Sequence, residues 1–287
     1  MSSNASKFRF SHRLRVRWAE VDMQQIVFNA HYLMYLDTAV TDYWRALALP
    51  YQATMHGLGG DLYVKKSTLE YHASARYDDS LDIGMRCARI GNSSMVFEGE
   101  IRCGDKLLVS GELVYVFADP QTQKSKPVPP ALRDALTAFE AGETMVQVEV
   151  GNWAQLQAPS TQLRNDVFLQ EQGIAAGVVF DTADEIAVHA VATNRLGHVV
   201  GAGRMLQQEP VVGRIGRMAV DRSVRGSRVG LLVLNALLDA AKARGDHEVM
   251  LHAQISAEAF YRKRGFVIRG DYFVEAGITH IEMVLPL

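Results

Sequence analysis

A chain of 287 residues is long enough for two domains. It is 48% hydrophobic and 22% charged, which excludes a disordered chain. Its 30 basic and 32 acidic side chains are spread evenly over the two halves and leave a net charge of −2, which argues against a dedicated nucleic-acid or anionic-membrane binder.

Two cysteines, Cys87 and Cys103, form no metal-binding pair and read as buried free thiols. His189, His198 and His247 lack metal-ligand spacing, so no metal is expected. The start of the chain carries no apolar run of signal-peptide length, and no stretch approaches a membrane span. The expected setting is a reducing cytoplasm, with no membrane and no nucleic acid as partners.

In chain order, residues 14–18 read as a strand. A long helix is predicted over 30–49, because Tyr32, Leu36, Val40, Tyr43 and Leu47 recur at steps of three and four. Asn29 is its expected N-cap and Pro50 its stop. Period-two alternation predicts strands over 81–87, 95–103 and 107–117, with hairpin turns at Gly91–Asn92 and Gly104–Asp105. The proline-rich segment 118–130 ends the last strand, and a short helix over 131–140 leads to a hinge at 141–144. These elements predict an α+β first domain, 8–142, with an antiparallel sheet around one long central helix.

The second domain, 143–287, reads as mixed α/β. Strands are predicted over 146–150, 186–192, 199–206, 215–220, 249–252, 266–268 and 280–284, the second and third joined as a hairpin. Helices are predicted ending before Gly173, over 230–244 with Gly245 as its close, and over 256–264.

Two segments carry chemistry. The run RWAEVDMQQIVFNAHYLMYL (residues 17–36) puts Asp22 between the first strand and the helix. It resembles hotdog-fold acyl-CoA thioesterases of the 4-hydroxybenzoyl-CoA thioesterase type. The resemblance implies Asp22 as catalytic carboxylate, nucleophile or general base, and the Asn29 N–H as donor to the thioester oxygen. Gln25 stands where glycine is usual, and can narrow the site or position a water. The family also implies a homo-oligomer with the site between protomers. Arg89, Asn92, Ser93 and Ser94 are candidates for the nucleotide end of coenzyme A, weighed equally against a solvated turn. Asp61 and Glu70 read as strand-end surface residues.

In the second half, RIGRMAVDRSVRGSRVG (residues 214–230) crowds five arginines ahead of a helix. Backbone N–H groups and a helix dipole there suit a diphosphate. Arg225-Gly226-Ser227-Arg228-Val229-Gly230 resembles the coenzyme A signature of GNAT-family N-acetyltransferases, with Arg228 in place of the middle glycine. The resemblance implies that Met218, Ala219 and Val220 pair with the pantetheine arm. Within the FYRKRGF run (residues 260–266), it implies that Tyr261 protonates the leaving thiolate. Glu171, His252 and Glu275 are candidate bases.

The two halves together imply a bifunctional enzyme. One domain would hydrolyse an acyl-CoA and the other would move an acyl group from coenzyme A to an amine. The alternative is an acyl-CoA sensor with one non-catalytic domain, suggested by Gln25 and Arg228.

Overall fold

A computed structural model describes residues 7–287. The chain divides into two units between Met145 and Val146.

The first unit is a five-stranded antiparallel sheet with a helix across it. The elements are β1 (Phe10–Arg15), α1 (Asn29–Ala46), α2 (Tyr51–Gly57), β2 (Asp61–Tyr71), β3 (Ser80–Ile90), β4 (Ser94–Cys103), β5 (Lys106–Ala118) and α3 (Pro130–Glu140). The strand order is β1-β3-β4-β5-β2. As the periodicity predicts, α1 buries one stripe, including Tyr32, Leu36, Val40 and Tyr43. Tyr43 sits at the centre of an aromatic cluster with Phe10, Phe97 and Phe139.

The helix comes close to the sheet because of two glycines paired across β4 and β5, Gly99 and Gly111. A Cβ on Gly99 would lie 2.6 Å from Leu36 Cδ2, and one on Gly111 would lie 2.9 Å from Leu36 Cδ1. Leu36 is itself fully buried and has little room to yield. Gly99→Ala is therefore expected to destabilise this unit by about 1–3 kcal/mol, read as a lower denaturation midpoint.

Several sequence expectations change here. The first strand ends at Arg15, and residues Trp18–Glu20 form a single 3-10 turn. Asn29 is the first helical residue and not the cap. Phe28 occupies the cap position and offers no side-chain acceptor. The helix stops at Ala46, and Ala48 turns left-handed with φ 54°. Pro50 is then the N-cap of α2. Cys87 and Cys103 are free but only half-buried at the residue level. Burial, with Glu140 nearby, pushes the Cys87 thiol up to about 12.

The second unit is a seven-stranded sheet of order β11-β12-β10-β9-β8-β7-β6. Its elements are β6 (Val146–Gly151), α4 (Trp153–Arg164), a π-helical turn (Asn165–Glu171), α5 (Ala176–Val179), β7 (Val188–Asn194), β8 (Val199–Glu209), β9 (Val212–Val220), α6 (Val229–Arg244), β10 (Glu248–Gln254), α7 (Glu258–Arg262), β11 (Val267–Glu275) and β12 (Ile278–Pro286). Side chains alternate across β8. Ala202 joins the cluster under α4, with Leu156, Leu163 and Phe168. Gly201 and Gly203 face α6, where an added Cβ would meet Val229 and Val233 at 3.0 Å or less.

The sheet has one parallel pair. β9 and β10 are bonded only over Val212–Ile215 and Glu248–Leu251. Beyond those residues β9 continues to Val220 along β8 and β10 to Gln254 along β12 but not paired with each other, so the strands splay and a gap opens in the sheet. Among the described residues, no helix is long and apolar enough to cross a membrane.

Candidate active sites

In the first unit a cleft of about 740 Å3 is lined by Asp22, Phe28, Asn29, Tyr32, Tyr71 and His72, among others. Asp22 belongs to a closed turn. Its N–H donates to Ile26 O (2.9 Å), its carbonyl accepts from Gln25 N, and its Oδ1 accepts from Gln24 N (2.8 Å). The N–H groups of Asn29 and Ala30, in the first turn of α1, donate to nothing among the described residues. They give one wall of the cleft a partial positive charge. A carboxylate and a residue with a free backbone N–H, Asn29, therefore share one cavity.

The turn is held from below by Glu20. This carboxylate is 3% exposed and accepts from Arg17 Nε, Nη2 and N, and from the Tyr35 hydroxyl. Burial pushes the Glu20 carboxyl up, but the hydrogen bonds from Arg17 and Tyr35 outweigh it and keep it below its ordinary value. The Glu20 carbonyl in turn accepts from Phe28 N (3.0 Å), which ties the Asp22 turn to the helix start. Nothing in the sequence motifs singles out Glu20, although its spacing from Arg17 is that of a capping pair. Nor does anything single out Tyr71 and His72, because β2 is a largely exposed edge strand and shows no alternation.

Gln25 is exposed and does not line the cleft. Its φ is 62°, a left-handed conformation that favours glycine, at a cost on the order of 1 kcal/mol for another residue. Arg89, Asn92, Ser93 and Ser94 also lie outside the cleft lining. Asn92 and Ser93 carbonyls accept from Val128 N and Phe117 N, which fixes the hairpin to its neighbours. Asp61 accepts from the Tyr51 hydroxyl, and Glu70 is exposed on β2.

In the second unit a cavity of about 460 Å3 occupies the gap between β9 and β10. Met218, His252, Tyr261 and Glu275 all line it. Tyr261 is 7% exposed, packs edge-on against Phe260 and Phe266, and its hydroxyl makes no hydrogen bond among the described residues. Burial raises its pKa and keeps the hydroxyl protonated. His252 Nδ1 lies 3.1 Å from Glu275 Oε2 and 3.1 Å from Arg214 Nη2. Unprotonated, it accepts from Arg214; protonated, it donates to Glu275. Burial pushes the Glu275 carboxyl up, and the His252 contact reverses this and lowers it.

The remaining signature residues sit beside this cavity and not in its lining. Ala219 is packed in the core. The loop before α6 leaves the N–H groups of Gly226, Arg228, Val229 and Gly230 without a backbone partner, a set of donors suited to a phosphate. Gly226 and Arg228 both have positive φ, 90° and 70°. A Cβ on Gly230 would lie 3.3 Å from Val220 Cγ2. Ser227 Oγ donates to Val224 O. Arg225 is held by Glu171 through two hydrogen bonds of 2.6 and 2.7 Å. Those bonds hold the Glu171 carboxyl below its ordinary value, and Glu171 does not line the cavity, so it is poorly placed to act as a base.

One cluster is invisible in the sequence. Arg164 and Asp184, both 1% exposed or less, pair at 2.8 Å, and Asp184 also accepts from Arg204 at 2.7 Å. Arg204 reaches Asp181 with two further bonds, and Asp181 accepts from Arg217 as well. His189 closes the group, with Nε2 2.8 Å from the Asp184 carbonyl. Asp181, Arg204 and Arg217 form part of the cavity wall.

The family model for a thioesterase-like superfamily matches residues 16–136, and that for an acetyltransferase (GNAT) domain matches 167–287. The acyl-CoA thioester hydrolase YbgC of Escherichia coli O157:H7 is 30% identical over 130 residues, which are 45% of this chain and 95% of that protein. The uncharacterized N-acetyltransferase YjcF of Bacillus subtilis (strain 168) is 33% identical over 123 residues, 42% of this chain and 86% of that protein. The two matches divide the chain as the two folds do. The chain thus belongs to both families, as a fusion of a hotdog thioesterase-like domain with a GNAT acetyltransferase domain.

Proposed function

We propose that this chain is a bifunctional acyl-CoA enzyme. The first domain hydrolyses an acyl-CoA thioester. The second transfers an acetyl or other acyl group from coenzyme A to an amine. The observation that carries the first activity is the shared cleft of Asp22 and the free N–H groups at the start of α1. The thioester oxygen gains negative charge as its carbon is attacked, and oriented N–H donors stabilise that charge. Asp22 either attacks the carbonyl carbon or removes a proton from the attacking water.

In the lining of this cleft Met23, Phe28 and Tyr71 are exposed, Met23 completely. Such a cluster supports burial against a second copy of the chain, and we place a homo-oligomer contact there.

In the second domain the acyl-CoA would lie in the gap between β9 and β10, its pantetheine against Met218–Val220 and its diphosphate on the N–H groups of Gly226, Arg228, Val229 and Gly230. The amine loses its proton to the His252–Glu275 pair and attacks the carbonyl carbon. Tyr261 protonates the departing thiolate. Tyr261→Phe is expected to lower kcat for transfer about 100-fold, with acetyl-CoA binding retained. The account requires no metal, and cytoplasm, where acyl-CoA is available, is its setting.

Release of free thiol from a panel of acyl-CoAs, with and without amines, tests both activities. Binding without thiol release would favour the sensor reading. Gln25 and Arg228 are its only support, and each keeps the left-handed backbone that glycine would supply.

A further inference from the structure

The cavity between β9 and β10 contains charge that the transfer step does not use. Three arginines line it, Arg204, Arg214 and Arg217, against two carboxylates, Asp181 and Glu275. Arg204 is engaged by Asp181 and Asp184. Arg217 donates to the carbonyls of Val178 and Val179 and to Asp181. Arg214 differs. It donates to His252 Nδ1, and among the described residues no carboxylate accepts from it. It is half-buried, in a cavity whose apolar wall includes Phe168, Ile174, Val179 and Leu251. Glu275 offsets its charge only at a distance, across His252 Nδ1, so the guanidinium keeps donors free for an anion.

Resting on the transferase reading, we infer that Arg214 binds a carboxylate of the acceptor, so that the acceptor is a small amine that carries a carboxylate. The guanidinium fork suits a carboxylate, with two parallel hydrogen bonds. His252 touches both Arg214 and Glu275, so the anion subsite adjoins the pair that takes the amine's proton. An amine and a carboxylate a few bonds apart, as in an amino acid, span that separation. When the ligand occupies Arg214, His252 Nδ1 is released to bond with Glu275. The amine nitrogen then attacks the thioester carbon. A C–N bond forms and the C–S bond breaks. The ammonium loses one proton to the His252–Glu275 pair before it attacks and a second from the tetrahedral adduct; Tyr261 gives its proton to the thiolate, one of the two nitrogen protons returns through solvent to Tyr261, and the other passes to solvent. The products are an N-acylated amino acid and free coenzyme A.

The test uses the full chain, acetyl-CoA and matched pairs of acceptors: phenylalanine with phenethylamine, leucine with isoamylamine, lysine with cadaverine. Phosphoethanolamine is the phosphate-bearing arm. N-acetyl products are quantified by mass spectrometry. In at least one pair the amino acid is expected to exceed its decarboxylated partner about 100-fold in kcat/KM, as loss of a charge-assisted contact implies. In Arg214→Ala that preference is expected to fall below about threefold, and Arg214→Lys is expected to restore part of it. Acetyl-CoA binding by both variants checks that they fold. Equal use of both members of every pair, a preference unchanged in Arg214→Ala, or a preference for phosphoethanolamine overturns the inference and leaves the transferase reading standing. No N-acetyl product from any acceptor, with acetyl-CoA bound, overturns both.

Discussion

Asp22→Asn is expected to lower kcat for acyl-CoA hydrolysis by about 1,000-fold while the protein stays folded. Asparagine has the same shape and keeps the oxygen that accepts from Gln24 N. The turn that holds residue 22, closed by backbone bonds to Gln25 and Ile26, therefore survives. What is lost is the negative charge and the lone pair that attack a carbonyl or take a proton from water. The free N–H groups of Asn29 and Ala30 remain, so substrate affinity is expected to change little. The measurement pairs thiol release with thermal melting, where a shift of only a few degrees is expected for a substitution of this kind. Wild-type turnover by this variant would remove Asp22 from the chemistry.

Asp184→Ala is expected to cost the second unit about 3–5 kcal/mol. Asp184 is almost wholly buried between Arg164 and Arg204. Its removal leaves the Arg164 guanidinium without a carboxylate partner; Trp153 lies under it at 5.3 Å, and His189 is only a long contact at 3.4 Å. Arg204 would keep Asp181. A wild-type denaturation midpoint in Asp184→Ala would contradict the assigned network.

The same group sets a pH dependence. Hydrogen bonds from Arg204 hold the Asp181 carboxyl down at about 2. Burial pushes Asp184 up, but the bonds from Arg164 and Arg204 prevail and lower it. A carboxyl depressed in the folded state stabilises fully above its unfolded value, near 4, and loses that contribution as pH falls through its folded value. The urea midpoint of the second unit is expected to drop between about pH 4 and pH 2. That drop should be shallower in Asp184→Ala, and an equal drop would contradict the assignment.

Periodicity and contiguous motifs made the local part of the molecule legible in the sequence. Tyr32, Leu36, Val40 and Tyr43 form the buried stripe of α1 as their spacing requires. The hairpin across residues 194–197 closes as its composition requires, with Asn194 Oδ1 accepting from Leu196 N and His198 N. Asp22 with Asn29, and Met218 with Tyr261, do line common cavities. The features that stayed hidden depend on distant contacts. β2 is an exposed edge whose bonding partner is β5, so no period two marks it. Arg164, Asp184, His189 and Arg204 come from four separate elements, and nothing local distinguishes them from surface charges. Gln25 and Arg228 stand where the two family patterns have glycine. Both hold a left-handed backbone, and neither lines its cavity.

The central claim is that each half grips the same carrier. Calorimetric titration of coenzyme A into the full chain tests it most directly. The account predicts two equivalents bound per chain, one of them lost when a bulky residue replaces Gly230 beside Val220. Saturation at one equivalent, or no binding, would contradict it.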